Sequence, residues 1–229
     1  MSILNSLLLK TSSIKNISIL FIASHLVLLV MMIYTFPVIN NQIGTEAFDL
    51  QTFGYSVSVA ESIVYSLDDR TTDLYIFPQL TLLDLFYPFL LALFLSSLLF
   101  RLFSITESKS KTTAMLLTIP FLAMLFDYAE NVCIILMVSK SMEPGEAIVF
   151  LSSTCTVLKG FITSIAWIAV LVYSVKWFRG RGTGKNQLVA SKKRLKGRKR
   201  FSFNHSVPRQ KSLIIFETKD SAQADFKHS

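Results

Sequence analysis

The chain has 229 residues, of which 52% are hydrophobic and only 17% charged, and its formal net charge is +8 at neutral pH. A soluble domain of this length needs more charge to wet its surface, so the composition argues against a soluble globular protein. The apolar residues stand in long blocks rather than at amphipathic spacing, which is typical of helices that cross a membrane.

Four apolar blocks are each long enough to cross a bilayer core of about 30 Å as a helix. We expect spans at four places, at about 17–38, 80–103, 113–138 and 147–178. The fold class is therefore all-α, a bundle of four transmembrane helices in a domain over 1–179. We also expect a structured outer loop over 39–79 and a disordered basic tail over 180–229.

Lys and Arg are distributed unevenly between the connections. The first connection has only Arg70 against six acidic residues, and the third has Lys140 against Glu143 and Glu146, whereas the tail from Lys176 onward holds fifteen basic residues. Because cytoplasmic segments retain Lys and Arg, we expect both termini on the cytoplasmic side. The membrane that we expect is the plasma membrane, which is the inner membrane in a bacterium.

The outer loop contains one segment with helical spacing. Val59, Ile63, Val64 and Leu67 share one face, and Ser58 with Glu61 fits a capping box. We expect a short amphipathic helix there. The pattern leaves open whether this helix lies on the membrane surface, caps the bundle or packs only on other loop residues.

The basic composition of the tail bears on which partners it binds. Each Lys or Arg next to a membrane contributes about 1 kcal/mol of attraction to anionic lipid headgroups, so we expect these headgroups as the partner of the tail. No nucleic-acid recognition fold is visible, so we expect no specific nucleic-acid binding. The segment GTGK at 182–185 lacks the spacing and the strand of a phosphate loop.

Several ionisable or polar residues fall inside the predicted spans, where each charge costs roughly 2.5–3.5 kcal/mol unless it finds a partner. The candidate site residues are Asp84 in the second span, Asp127, Glu130 and Asn131 in the third, and Thr156 and Lys159 in the fourth. We expect Gly160, next to Lys159, to allow a neighbouring helix to approach closely. Counting from the basic residue at each cytoplasmic end places Asp84, Asp127 and Lys159 at one depth. We therefore expect Lys159 to pair with Asp127 or Glu130, with Asp84 nearby.

Three carboxylates facing one ammonium leave an excess of negative charge. A proton held by one carboxyl, or a bound cation, would compensate it, so these residues are candidates for binding a ligand or proton. The alternative is that the cluster only fixes the register of the helices. His25 in the first span is either part of a proton relay or bonded to a neighbouring helix.

The sequence predicts neither a metal site nor a cofactor. Cys133 and Cys155 stand alone inside apolar blocks and belong to no CxxC pair or metal-ligand spacing, so we expect them to pack as small apolar residues.

The motifs GYS at 54–56, LDLFYP at 83–88 and FDYAEN at 126–131 resemble those of a group of uncharacterised bacterial four-span membrane proteins. The resemblance implies a compact four-helix bundle with an outer first loop and implies no activity. In topology only, the chain is similar to the four-span family of sterol isomerases and the sigma-2 receptor, so no residue role is transferred.

Three functions are compatible with these observations. The first is binding or transport of a small molecule, lipid or proton at the polar cluster, and the second is an accessory subunit that packs on a membrane-protein partner. The third is an intramembrane enzyme acting on a lipid, with Glu130 or Asp127 as proton donor or acceptor. Of these, we expect a non-enzymatic function rather than an enzymatic one, because the sequence shows no nucleophile paired with a base.

Overall fold

A computed structural model describes residues 3–108 and 110–201, with side chains as far as Gly180. Every regular element in these ranges is helical, which confirms the all-α prediction for the part described. The α-helices are α1 (Ile3–Thr11), α2 (Ile14–Val30), α3 (Phe36–Ile43), α4 (Val57–Ser66), α5 (Asp69–Leu74), α6 (Asp84–Ile105), α7 (Lys111–Leu116), α8 (Ile119–Val138) and α9 (Glu146–Phe201).

Four helical stretches are long and apolar enough to cross a membrane. They are the first span (Ile14–Ile43), the second (Asp69–Ile105), the third (Lys111–Val138) and the fourth (Glu146–Gly180). Each contains one of the four predicted blocks. The second span begins at Asp69 rather than at about 80, because the polar segment before the apolar block is already helical as α5.

The spans pack through two clusters of buried apolar side chains. Helix α6 lies centrally, with α2 along one side and α8 along the other. One cluster, at the end that carries the long first connection (the loop end), includes Phe36, Phe48, Ile63 and Ile134. A second cluster includes Leu95, Leu99 and Ala166 and receives Leu8 from α1.

Two interruptions of the spans meet at the loop end. The first span widens into a π-helical turn over Met31–Thr35, just before Pro37, and the second span leaves helical geometry at Phe77, before the cis peptide bond to Pro78. The hydroxyl of Thr35 donates to the side-chain oxygen of Gln79, and both residues are fully buried. Proline and π-helical turns are common causes of such breaks. This bond therefore joins the two irregular segments to each other.

Proline interrupts the third span as well. Helix α7 ends at Leu116 and α8 begins at Ile119, with Pro120 in its first turn. The hydroxyl of Ser96 on α6 donates to the carbonyl of Leu117 at 3.0 Å, within the break. A neighbouring span thus satisfies a carbonyl group in the interruption, as membrane helices require.

The first connection is structured, as predicted. It contains a 3-10 turn over Phe48–Leu50 and the helix α4, whose residues Ile63 and Val64 are buried in the loop-end cluster. The predicted capping box is wrong, because the residue that caps α4 is Ser56, whose hydroxyl accepts from the amide of Val59. Helix α4 therefore caps the bundle rather than packing on loop residues alone.

The chain divides into two units, Met1–Gly182 and Thr183–Ser229. In the second unit the described backbone, up to Phe201, is helical. The disorder predicted for 180–229 stays a prediction. Residues 202–229 of the predicted tail lie outside the described residues.

Candidate functional site

Lys159 on the fourth span connects two carboxylates of the third span. Its Nζ lies 2.7 Å from Asp127 Oδ1 and 2.7 Å from Glu130 Oε2. Asp127 and Glu130 are three residues apart on α8, so their side chains project from one face of the helix. The predicted ion pair is confirmed, and Lys159 binds both carboxylates rather than one.

Two further predicted residues hold this ion pair in place. The hydroxyl of Thr156 donates to Glu130 Oε1 at 2.8 Å, so both oxygens of the fully buried Glu130 are bound by the fourth span. Asn131 turns instead toward α6, where its Nδ2 contacts the backbone carbonyl of Asp84 at 3.4 Å. The third span is thereby linked to both of its neighbours at one level.

Asp84 and Lys159 line one cavity. The cavity has a volume of about 260 Å³, and Asp84, Asp127 and Lys159 all line it. Asp84 is only 3% exposed, and its Oδ2 has no hydrogen-bond partner among the described residues. The second oxygen of Asp127 is likewise buried without a partner in the described part of the chain. The three charges thus share one depth, as predicted.

The remaining walls of the cavity are mainly apolar. Side chains from the first three spans supply them, among them Leu28, Met31, Leu91, Leu95 and Met124. A volume of about 260 Å³ exceeds the roughly 150 Å³ of an apolar cavity that binds benzene and falls just below the range of about 300–1,000 Å³ for drug-sized ligands. The cavity therefore suits a small, largely apolar molecule with one polar end.

The loop contributes a charge that sequence reasoning missed. Asp49, counted there only as an acidic loop residue, lines the same cavity, and its carboxyl group lies within hydrogen-bonding reach of Asp84. The phenol of the fully buried Tyr75 donates to Asp49 Oδ2 at 2.7 Å. The only sequence signal was that an acidic residue follows the apolar pair Ala47 and Phe48, which anchor the turn in the core.

A close backbone approach fastens the loop to the fourth span. Gly54 has φ +84°, and a Cβ atom there would overlap with Ser153 Oγ. The amide of the next residue, Tyr55, donates to Ser153 Oγ (2.9 Å), and its phenol donates to Ser152 Oγ (2.6 Å). Burial raises the pKa of the Tyr55 phenol well above its ordinary value, so the phenol stays protonated and keeps donating.

Gly160 plays a different part from the expected one. The sequence suggested that it allows a neighbouring helix to approach, but a Cβ atom there would meet nothing within 4 Å. Gly160 lines the cavity together with Thr163, which is three residues further on and on the same face. A larger side chain at 160 would therefore project into the cavity.

His25 makes its hydrogen bonds within its own helix, and its ring packs edge-on against Phe94 of α6. Its Nδ1 lies 2.9 Å from the carbonyl oxygen of Phe21 and 3.1 Å from Ser24 Oγ, and it does not line the cavity. The predicted alternatives, a relay or a bond to another helix, are therefore not what the structure shows. Cys133 and Cys155 are both free and buried, as expected for small packing residues.

Comparison with known proteins finds no matching family model, no similar curated protein and no similar solved structure.

The chemistry open to the site follows from its charges. Asp49, Asp84, Asp127 and Glu130 supply four carboxyl groups, whereas Lys159 supplies the one Lys or Arg ammonium or guanidinium group that lines the cavity among the described residues. No group of three or more His, Cys, Asp or Glu residues in the described part is arranged to hold a metal ion. The site therefore holds more carboxyl groups than ammonium groups.

Proposed function

We propose that this chain is a multi-pass protein of the plasma membrane, the inner membrane in a bacterium, with both termini in the cytoplasm. Large apolar side chains project outward from its spans, including Ile33 on the first, Leu125 on the third and Phe161 on the fourth, which are 68%, 58% and 65% exposed. Such continuous apolar surface is stable only against lipid. The excess of Lys and Arg at the termini sets the orientation.

Cysteine labelling tests this topology. In a chain whose buried Cys133 and Cys155 are replaced by serine, Ser62→Cys on α4 should react with a membrane-impermeant maleimide added to intact cells. Thr112→Cys, in the first turn of α7 at the start of the third span, should react only after the membrane is opened. Both side chains are exposed, so access depends on the side of the membrane alone. Labelling of Thr112→Cys in intact cells would contradict the orientation.

The protein's function, in our proposal, is to bind or transport a small amphiphile with a positively charged amino group in the central cavity. The observation that carries this is Asp84, a buried carboxylate that lines an apolar cavity with one oxygen lacking a partner among the described residues. Leaving a charged group buried and unpaired is costly, so a cation is the ligand whose binding relieves the cost.

The charge of Lys159 does not remove the need of Asp84 for a cation. Its ammonium already binds Asp127 and Glu130 at 2.7 Å each. An ammonium group of a ligand placed between Asp84 and the free oxygen of Asp127 would gain charge-assisted hydrogen bonds to both. The alkyl part would lie against Leu91, Leu95 and Met124.

Binding of n-octylamine to the protein in zwitterionic nanodiscs tests the proposal, with 1-octanol and octanoate as neutral and anionic controls. We expect calorimetry, corrected with empty nanodiscs, to show octylamine binding at least tenfold tighter than octanol, because charged hydrogen bonds contribute about 1.5–3 kcal/mol. Asp84→Asn should remove the preference for the amine. Asp73→Asn, an exposed acid on the same span, is the matched control and should keep it.

A second variant separates the cavity from its charge. Gly160→Leu should fill part of the cavity and weaken octylamine and octanol alike, whereas Gly160→Ala should change both little. Equal affinity for amine and alcohol in the wild type, or an unchanged preference in Asp84→Asn, would contradict the proposal.

A further inference from the structure

Asp49 and Asp84 form a carboxyl pair at the loop end of the cavity. Their side chains lie within hydrogen-bonding reach of each other, and each has one oxygen, Asp49 Oδ1 and Asp84 Oδ2, that is buried without a hydrogen bond to any described donor. Two ionised carboxylates have no proton to donate and repel each other. One proton between them turns the repulsion into a hydrogen bond and satisfies both oxygens.

We infer that Asp49 and Asp84 share one proton in the ligand-free protein and that an alkylammonium ligand displaces this proton, so that binding is an exchange of one cation for another. The inference rests on the proposed function and adds the coupling of ligand binding to proton release. It also assigns a site role to Asp49, a residue of the outer loop.

The exchange balances in atoms and charge. The ligand enters as R–NH₃⁺, the shared proton leaves to water, and both carboxyl groups become carboxylates that accept hydrogen bonds from the ammonium. The site gains one positive charge and loses one, so its total charge is unchanged. In a cavity with apolar walls, an exchange that conserves charge avoids the large cost of an uncompensated buried ion.

The neighbouring groups leave the pair without another cation to bind. The ion pairs of Lys159 are with Asp127 and Glu130, and the phenol of Tyr75 donates to Asp49 Oδ2. The first span presents apolar side chains to the cavity, with no titratable group among its described lining residues. The pair is faced from the loop and from the second, third and fourth spans by the titratable groups of Tyr55, Tyr75, Tyr87, Asp127, Tyr128, Glu130 and Lys159.

Infrared spectroscopy tests the shared proton without any ligand. A protonated carboxyl group absorbs apart from carboxylates, and we expect such a band in the wild type at neutral pH. Asp49→Asn and Asp84→Asn should each abolish it, because the remaining carboxylate is then stabilised by the amide and needs no proton. Asp73→Asn should leave it intact. Absence of the band in a folded wild-type sample would overturn the inference.

Proton release on binding tests the exchange. Calorimetry of n-octylamine in two buffers with different ionisation enthalpies should show one proton released per ligand, and the affinity should rise about tenfold per pH unit near neutrality. In Asp49→Asn the amine should still bind at Asp84, but with neither proton release nor this pH dependence. Circular dichroism and size exclusion confirm that each variant is folded.

The possible outcomes separate the two proposals. If octylamine binds with its preference over octanol but no proton is released, the proposed function stands and the exchange is overturned. If octylamine shows no specific binding, both are overturned, even where the infrared band is present. If binding, proton release and the infrared band all depend on Asp49 as stated, the exchange is supported.

Discussion

Tyr75 and Asp49 join the second span to the first connection through a hydrogen bond of 2.7 Å. The same phenol oxygen accepts a hydrogen bond from the amide of Phe48 at 3.0 Å, so one buried side chain satisfies two groups of the 3-10 turn. Tyr75 itself is fully buried. This phenol therefore decides where Asp49 sits on the wall of the cavity.

Tyr75→Phe should lower the free energy of unfolding by about 1–3 kcal/mol, because it leaves the Phe48 amide and a carboxylate oxygen buried without a partner. It should also weaken octylamine binding several-fold, since Asp49 loses its position. Unfolding by SDS in mixed micelles measures the first effect. Tyr65→Phe, at a site 68% exposed, is the control, and an equal effect of both variants would contradict the role of Tyr75.

Lys159→Met should be severely destabilising. It leaves Asp127 and Glu130 buried and close together without their cation, a change that costs about 3–5 kcal/mol where a buried pair is broken. Adding Asp127→Asn and Glu130→Gln should recover most of the loss, because no uncompensated charge then remains. The measurement is again SDS-induced unfolding.

Lys111→Met, at the exposed start of α7, is the matched control for Lys159→Met. It removes the same charge from the chain and should change the free energy of unfolding by less than about 0.5 kcal/mol. A Lys159→Met protein as stable as this control would show that the ion pair does not stabilise the bundle.

Gly54→Ala should weaken the attachment of the first connection to the fourth span. An alanine there adopts an unfavourable positive φ, which costs about 1–2 kcal/mol, and its Cβ also meets Ser153 Oγ. Gly44→Ala provides a control, since Gly44 has φ +71° but open space around its Cβ position. The difference in protease sensitivity of the loop between the two variants isolates the contact, and identical sensitivity would exclude it.

The start of α5 should weaken on acidification. Asp68 caps this helix, and hydrogen bonds from the side chain and backbone of Thr71 lower the pKa of its carboxyl group. Because the folded-state pKa is below the ordinary value of about 3.9, the stabilisation is complete above that value and is lost as the pH falls through the folded-state pKa. Asp68→Asn should remove this dependence, so wild type and variant should converge in stability at low pH.

Amide exchange of α5, followed by NMR as the pH is lowered, measures the Asp68 effect. The adjacent Asp69→Asn variant should retain the wild-type profile, because Asp69 is exposed and does not cap the helix. If the difference in α5 amide exchange between the wild type and Asp68→Asn stays constant down to the lowest pH, Asp68 is not the group responsible for the pH dependence.

The ion pair of Lys159 with Asp127 and Glu130 could be predicted because helices convert residue counts into depth and spacing into faces. Charges at equal depth inside an apolar medium have few partners other than each other. The same regularity explains why the four spans were found to within a turn or two at most ends. The early start of the second span was not predicted, because α5 is polar and hydropathy does not detect a polar helix.

Asp49 could not be predicted as part of the site. Its position follows from a turn whose path is set by the burial of Phe48 and by the hydrogen bond to Tyr75, and neither contact has a periodic signature in the sequence. Gly160 was misread for a related reason, since spacing indicates the face of a glycine but not whether that face meets a helix or a cavity. The cap of α4 was misplaced by two residues because three serines compete within the segment 56–62.

A cavity with one wall built from a loop can be influenced by molecules that never enter the bilayer. A nanobody that binds the segment around Asp49 would shift the carboxyl group that faces Asp84. Binding at the surface would then change the affinity of the cavity for its ligand. Selecting such binders for or against the amine-loaded state offers a way to trap either form for imaging.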